Sequence, residues 1–519
     1  MIVVVDFGSQ TSHLISRRLQ ELGVLVKIVV PKEILRFAQN DKSVRGIIFS
    51  GGPASVYEKG APSIDPEIFK FKIPILGICY GLQLTAKLLG GKVISGKKEY
   101  GPAKLKIKNE ELKITEGLPR EFTIWMSHGD EVVELPRGFK TIGSTEHVPF
   151  AFVYNSDRKI YGVQFHPEVE HTQYGLQILS NFVGVCDFGS GLKSQSKFKI
   201  QNLKFKIKEL ERNIKETVGE SYVIGAVSGG VDSTVAATLT AEAIGKRFIP
   251  IYVENGLMRE GTKDHVKKIF KKKGNNPIIV NAVGETLKRL SGRADPEEKR
   301  KIIGNLYIEI FEKEMEKLKA KKIPVKFLLQ GTIYSDVIES QGTKHSAKIK
   351  SHHNVGGLPK KMRLKLLEPL RHFYKDQVRE IGVRLGIDKE SIYKQPFPGP
   401  GFAVRIRGVV TKKRLKMAKQ ADNIIIFELE KSGWLEKVFL SFPVLTGAKS
   451  TAVKGDGRHF GEVIALRVVE SKDIMTSTWS RLPYEVLQKI SSRIVNEIPG
   501  VSRVVYDITT KPPATMEWE

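Results

Sequence analysis

Cysteine is almost absent from this chain: Cys79 and Cys186 are the only two in 519 residues. Two thiols make neither a disulfide framework nor a cysteine-rich zinc site, so a reducing, cytoplasmic setting is expected. Long apolar runs are missing too. No stretch approaches the ~18–20 consecutive apolar residues that span a bilayer, and no membrane partner is expected. The opening MIVVVDFGSQ lacks a basic start and a long apolar core, so it reads as a buried first strand and not a signal peptide. Acidic residues are comparatively scarce: 57 Asp and Glu face 84 Lys and Arg, a net charge of +27. Such a balance attracts polyanions. The positive charge, however, is spread over 267–273, 313–322, 360–365 and 412–419, is interrupted by acidic residues, and accompanies no nucleic-acid motif. A solvated lysine-rich surface that steers phosphorylated substrates is expected, and a nucleic-acid partner is not.

What is present is globular in composition, 41% apolar and 27% charged, in a chain too long for one core. From residue 1 to 187, short Val- and Ile-rich runs (IVVVDF, VLVKIVV, RGIIFS, IPILGI) alternate with amphipathic segments, the pattern of parallel strands joined by helices. Residues 188–205 are rich in Ser, Lys and Gly and read as a linker into a helix starting at Ile207. A second βα series occupies 206–394. After the cluster QPFPGPGF, residues 395–519 alternate strand, helix and strand, suiting a smaller α+β domain. The expected fold class is therefore α/β: two open, mostly parallel-sheet domains and a small C-terminal α+β domain.

Two segments carry chemistry. GICYG, residues 77–81, lies between an apolar strand and a helix and has the form of a nucleophile elbow with Cys79 in the reactive place. A helix N-terminus favours thiolate. Downstream, YGVQFHPEV supplies an imidazole. Pro167 forces His166 into extended backbone, where residues two apart share a side, so Glu168 can orient the ring toward Cys79. The loop SGGPAS offers amides for an oxyanion, with Gly52 and the Tyr80 amide as the expected donors. His13, His147 and His171 are expected to bond to backbone or face solvent.

The second segment, SGGVDS, follows the strand YVIGAV and precedes a helix. Ser228, Gly229, Gly230, Val231, Asp232, Ser233 and Thr234 would cradle phosphate through amides and hydroxyls. No Walker lysine is present, which suits cleavage between the α- and β-phosphates of ATP. Asp232 is the expected ligand for Mg²⁺ bound with that ATP, and no organic prosthetic group is expected. Glu254 in YVENG could serve the ribose or a turn. In the polar stretch 349–359, the pair His352 and His353 has no further ligand at metal-binding spacing.

GICYG, SGGP and FHPE in this order resemble a class I glutamine amidotransferase domain, which implies a catalytic Cys79, His166 and Glu168. SGGVDS resembles the ATP pyrophosphatase signature, which implies adenylylation of a substrate oxygen, with Lys350, His352 and His353 on a lid assisting the transfer. QPFPGPGFAVR, GDGRHFGEVIALRVVE and VVYDITTKPPATMEWE resemble the C-terminal domain of the GMP synthetase family. That resemblance implies a homodimer and the substrates glutamine, ATP and XMP, with XMP held by Lys511, Glu517 and Arg405. Pro512 and Pro513 would stiffen a strand presenting Lys511. Gln395 departs from the His usual before PFPGPG. Two other readings of the chain are a related enzyme aminating a carboxylate or tRNA base, and a basic nucleic-acid-binding protein with vestigial sites.

Overall fold

The four residues Ile2–Val5 are all buried, as a strand covered on both faces must be. This β1 lies at the heart of the first sheet in a computed structural model that describes residues 1–9, 11–108, 111–188, 198–334, 336–337, 364–454, 457–471 and 476–519. Lys350, His352 and His353 lie outside the described residues.

The first sheet contains β1, β2 (Val26–Val29), β3 (Gly46–Phe49), β4 (Ile75–Ile78), β5 (Lys92–Ile107), β6 (Glu121–Glu134), β7 (Lys140–Ser144), β8 (Phe152–Asn155) and β9 (Ile160–Val163). Their order is β2-β1-β3-β4-β9-β8-β7-β5-β6. Pairing is parallel as far as β9 and antiparallel beyond it. The antiparallel extension, dominated by the long β5–β6 hairpin, was not foreseen. Residues of β6 mix buried with half-buried positions instead of forming a continuous apolar run.

The second sheet holds β10 (Tyr222–Ala226), β11 (Phe248–Glu254), β12 (Ile278–Asn281), β13 (Val325–Leu329) and β14 (Lys365–Leu367), all parallel, in the order β12-β11-β10-β13-β14. The winding reverses between β10 and β13, the place where such sheets open a crevice at their carboxyl edge. A helix at Phe198–Val218 leads into it and begins earlier than the expected Ile207. The reason is a stripe at helical spacing, Leu203, Ile207, Leu210, Ile214 and Val218, that packs on the sheet's core despite the polar composition around it.

The third sheet pairs β15 (Leu440–Lys454) antiparallel with β16 (Gly457–Glu470). The short β17 (Thr478–Trp479) runs antiparallel to β16, and β18 (Val501–Tyr506) runs parallel to it. Helices Lys412–Lys431 and Tyr484–Glu497 cover one face through Leu415, Ile425, Ile490 and Ile494. Gly401 is the hinge into this part. Its φ is +63°, and a side chain there would meet the Leu257 carbonyl at 2.3 Å, so the PGPG turn lies directly on the loop after β11.

Candidate active sites

At the end of β4, Cys79 adopts φ 50° and ψ −106°, a conformation that an L-residue keeps only when its surroundings impose it. The flanking glycines allow it. A Cβ on Gly81 would sit 2.5 Å from the Phe49 carbonyl oxygen, and one on Gly77 2.8 Å from the Leu82 nitrogen. Strand and helix can therefore meet at a sharp turn that leaves sulfur at the N-terminus of helix Tyr80–Leu88.

The backbone beyond β9 brings the imidazole to it. His166 Nδ1 lies 2.8 Å from Glu168 Oε1, and both side chains are buried. Burial alone would lower the His166 pKa. The Glu168 charge and hydrogen bonds to Cys79 and Glu168 outweigh it and hold the ring well above its ordinary value. The supporting bonds are local: His166 N donates to Trp125 O at 3.1 Å, Thr172 Oγ1 to His166 O at 2.6 Å, and Arg18 Nε to Glu168 O at 3.2 Å.

The SGGP loop crosses over this pair. A Cβ on Gly51 would lie 3.0 Å from His166 Cε1 and 3.9 Å from Cys79 Cβ. Gly52 packs on Phe7 and Tyr80, and among the described residues neither the Gly52 nor the Tyr80 amide has a main-chain acceptor. The structure thus gathers Cys79, His166, Glu168, Gly52 and Tyr80 at one place. Sequence reasoning missed a polar set beside them. The Cys79 thiol points to Ser127 O at 3.6 Å, and Gln83 Nε2 donates to Asp130 O at 2.7 Å. His128 Nε2 lies 3.5 Å from Glu99 Oε2, and Asp130 Oδ2 is buried with no hydrogen-bond partner among the described residues. The available signal was SHGD, a polar run following the apolar stretch IWM.

The phosphate loop stands at the carboxyl end of β10, beside the reversal of winding. Gly229 has φ +78°, and Gly230, extended, caps the helix Val231–Ile244, whose first amides point outward. Ser228 Oγ and Ser233 Oγ are 3.0 Å apart. Val231 is buried and offers main chain and not side chain to a ligand, whereas the buried Thr234 spends its amide on Gly230 O at 3.0 Å. Asp232 Oδ2 pairs with Lys375 at 3.0 Å, a partner that sequence reasoning did not foresee. Its Oδ1 is buried and has no hydrogen-bond partner among the described residues, which fits one position around a cation whose other ligands come from phosphate and water. Glu254 serves a turn, Oε1 accepting from Gly256 N at 3.3 Å. A cavity behind the loop is lined by Val227, Ser228, Tyr252, Val253, Met258 and Tyr307.

The C-terminal tail meets this edge. Lys299, on helix Pro296–Ala320, donates to Ala403 O, Ile406 O and Glu519 Oε2, the last at 2.7 Å. Arg405 is fully buried: it donates to both Glu517 oxygens at 3.1 and 2.9 Å and stacks on Phe397 and Phe442. Gln395 accepts from Ser441 N and Oγ, at 3.0 and 2.9 Å. Lys511 forms an isolated antiparallel bridge with Ser477 through two main-chain bonds, outside any strand and just before a turn, and the peptide bonds before Pro512 and Pro513 are both cis.

Among the described residues, His13 and His171 are half-buried and bond to side chains, not to backbone. His13 Nδ1 lies 2.7 Å from Tyr334 Oη, and His171 Nδ1 2.8 Å from Thr476 Oγ1, so each bridges the first sheet's region to another. The His171 ring also stacks on Trp125 at 4.7 Å.

Comparison with known proteins gives three successive family matches along the chain. Residues 3–186 match the family described as glutamine amidotransferase class-I, 203–308 match NAD synthase, and 427–518 match the GMP synthase C terminal domain. The glutamine-hydrolysing GMP synthase of Aquifex aeolicus is 50% identical over 523 residues, covering 100% of this chain and 99% of that protein. Those of Campylobacter lari and Caldanaerobacter subterraneus subsp. tengcongensis are 47% and 48% identical with the same coverage.

Proposed function

The chain belongs to the family of glutamine-hydrolysing GMP synthases, and from that premise we propose how its residues divide the work. It is a ligase that makes GMP from XMP, with ATP as the source of energy and glutamine as the source of nitrogen. Cys79 thiolate attacks the glutamine amide carbon. The Gly52 and Tyr80 amides stabilise the oxyanion, and His166, oriented by Glu168, gives its proton to the departing nitrogen. Ammonia leaves, and water, deprotonated by the same imidazole, releases glutamate from the thioester. Asp130 and Glu99 supply carboxylates for the substrate's α-ammonium group.

At the second site, the amides and hydroxyls of 228–234 hold the ATP phosphates, and the cavity beside Tyr252 takes the adenine. O2 of XMP attacks the α-phosphorus and displaces pyrophosphate; ammonia then attacks C2 and AMP departs. A magnesium ion bound through Asp232 would screen the triphosphate charge, and Lys375 fixes that carboxylate. Lys511 takes the XMP phosphate, Glu517 a ring N–H, and the buried Arg405 acts through Glu517. Lys350, His352 and His353 assist adenylyl transfer. The regions assigned to these tasks are 1–187, 206–394 and 395–519, and the protein works as a cytoplasmic homodimer paired through the last.

One observation carries this reading. The tail bearing Lys511 and Glu517 is latched through Glu519 to Lys299, on a helix of the second region, which supports an acceptor site facing the adenylylating loop. The test is pyrophosphate release from ATP with and without XMP, using glutamine and then ammonium. XMP-dependent release with equimolar GMP from either donor is expected, and Cys79→Ala should abolish the glutamine-dependent rate while retaining that with ammonium. A folded protein that leaves XMP unreacted would overturn the reading of the acceptor. Failure of ammonium to rescue the variant would overturn the separation of sites.

A further inference from the structure

Arg467 lies on β16, beneath the tail, and has no exposed surface. Its guanidinium is spent entirely on residues 507–516. Nη1 donates to Asp507 Oδ2 at 2.8 Å and Thr509 O at 3.0 Å, Nη2 to Thr515 O at 3.0 Å, and Nε to Met516 O at 3.2 Å. One planar group therefore grips both limbs of a loop whose tip carries Lys511 and whose descending limb ends in Glu517.

Other bonds act beside that grip, among them the two main-chain bonds between Lys511 and Ser477. Asp507, held below its ordinary pKa although burial opposes this, also accepts from Thr509 N at 3.0 Å and Trp518 Nε1 at 2.8 Å. The carboxylate thus ties the start of the loop to its end. Thr510 O accepts from Ala514 N at 3.0 Å across the tip. Below the neck, Arg405 fixes Glu517 and Lys299 fixes Glu519. Among the described residues no apolar cluster includes 509–514, and hydrogen bonds shape the tip.

We propose that Arg467 is the positioning residue that sets the separation of Lys511 and Glu517, and with it the affinity of the tail for a nucleoside monophosphate. It touches no substrate atom. Its role follows from geometry: a rigid fork fixes carbonyls on both limbs at once, which a lysine's single ammonium cannot do. This inference rests on reading the tail as the XMP site, so the experiment must separate the two.

Steady-state synthesis by the full chain with ammonium as nitrogen donor would be compared for Arg467→Lys, Asp507→Asn and Lys511→Ala. Arg467→Lys is expected to raise the KM for XMP about tenfold, with kcat and the KM for ATP within about twofold of the parent. Asp507→Asn should raise it about threefold, with an unshifted unfolding midpoint. A merely structural role would lower stability or kcat without selecting the XMP term. If Arg467→Lys does not fold, Asp507→Asn decides by the same split. A folded variant with an unchanged KM for XMP, alongside a Lys511→Ala with a raised one, overturns the role of Arg467. An unchanged KM in Lys511→Ala overturns the tail as the XMP site, and the proposal with it.

Discussion

A single imidazole shows how burial and a neighbour compete. His166 is enclosed, which should expel charge, yet Glu168 at 2.8 Å and the adjacent Cys79 hold its proton to a pH well above the ordinary 6.5. The folded-state pKa is raised, so the stability that this proton brings is fully present below about pH 6.5 and is lost as pH rises through the raised value. Urea unfolding of the parent and of His166→Gln should therefore differ most near about pH 6 and converge in the alkaline range. A gap that widened with pH would show that the ring is neutral in the folded protein. Asp232 shows the same kind of sharing: one oxygen is spent on Lys375, and the other is left for a ligand.

At the scale of elements, the phosphate loop is shaped from beneath by a segment far away in sequence. Gly331, just after β13, lies so near that a Cβ there would meet Ser233 Cα and N at 2.8 Å and Asp232 C at 2.9 Å. These are backbone atoms, so the loop itself would have to move. Gly331→Ala is expected to destabilise the chain by roughly 1–3 kcal/mol. It should also raise the KM for ATP about tenfold while glutamine hydrolysis at Cys79 persists. Equilibrium unfolding and the KM for ATP check the two effects separately; an unaltered KM would mean that the loop adapts freely. The Cys79 elbow follows the same rule, with Gly77 and Gly81 admitting close backbone contact where any side chain would clash.

Across the whole molecule, the regions meet through polar contacts. His13 and Arg17, on helix Ser12–Glu21, reach Tyr334, Tyr374 and Asp376 of the second region, and His171 reaches Thr476 of the third. On the proposed division of work, ammonia released at Cys79 has to cross such a seam to be used. His171→Ala removes the bond to Thr476 and the ring packed on Trp125, which loosens the seam while leaving every group of the Cys79 and Asp232 sites in the chain. Synthesis from ammonium should stay within about twofold of the parent, while the ratio of glutamate released to GMP formed should rise above one. A ratio fixed at one would mean that this contact does not seal the path.

Much of this protein is decided locally and is therefore readable in its residues. The elbow GICYG, the extended His166-Pro167-Glu168 and the Lys-less phosphate loop depend on steric rules acting over a few residues, and the buried strands declare themselves by unbroken Val and Ile. The early start of helix Phe198–Val218 was also there to be read, in a stripe hidden by polar neighbours. Other features depend on which distant segments the sheets bring together. The pairing of Asp232 with Lys375, the sealing of Arg405 against Glu517, the acidic set around Gln83, and the bonds of His13 and His171 across seams all join residues far apart in the chain. Local chemistry specifies which groups can react or bond. The close packing of the folded chain decides which of them are desolvated beside one another, and so which carry charge, give up a proton or hold a loop in place.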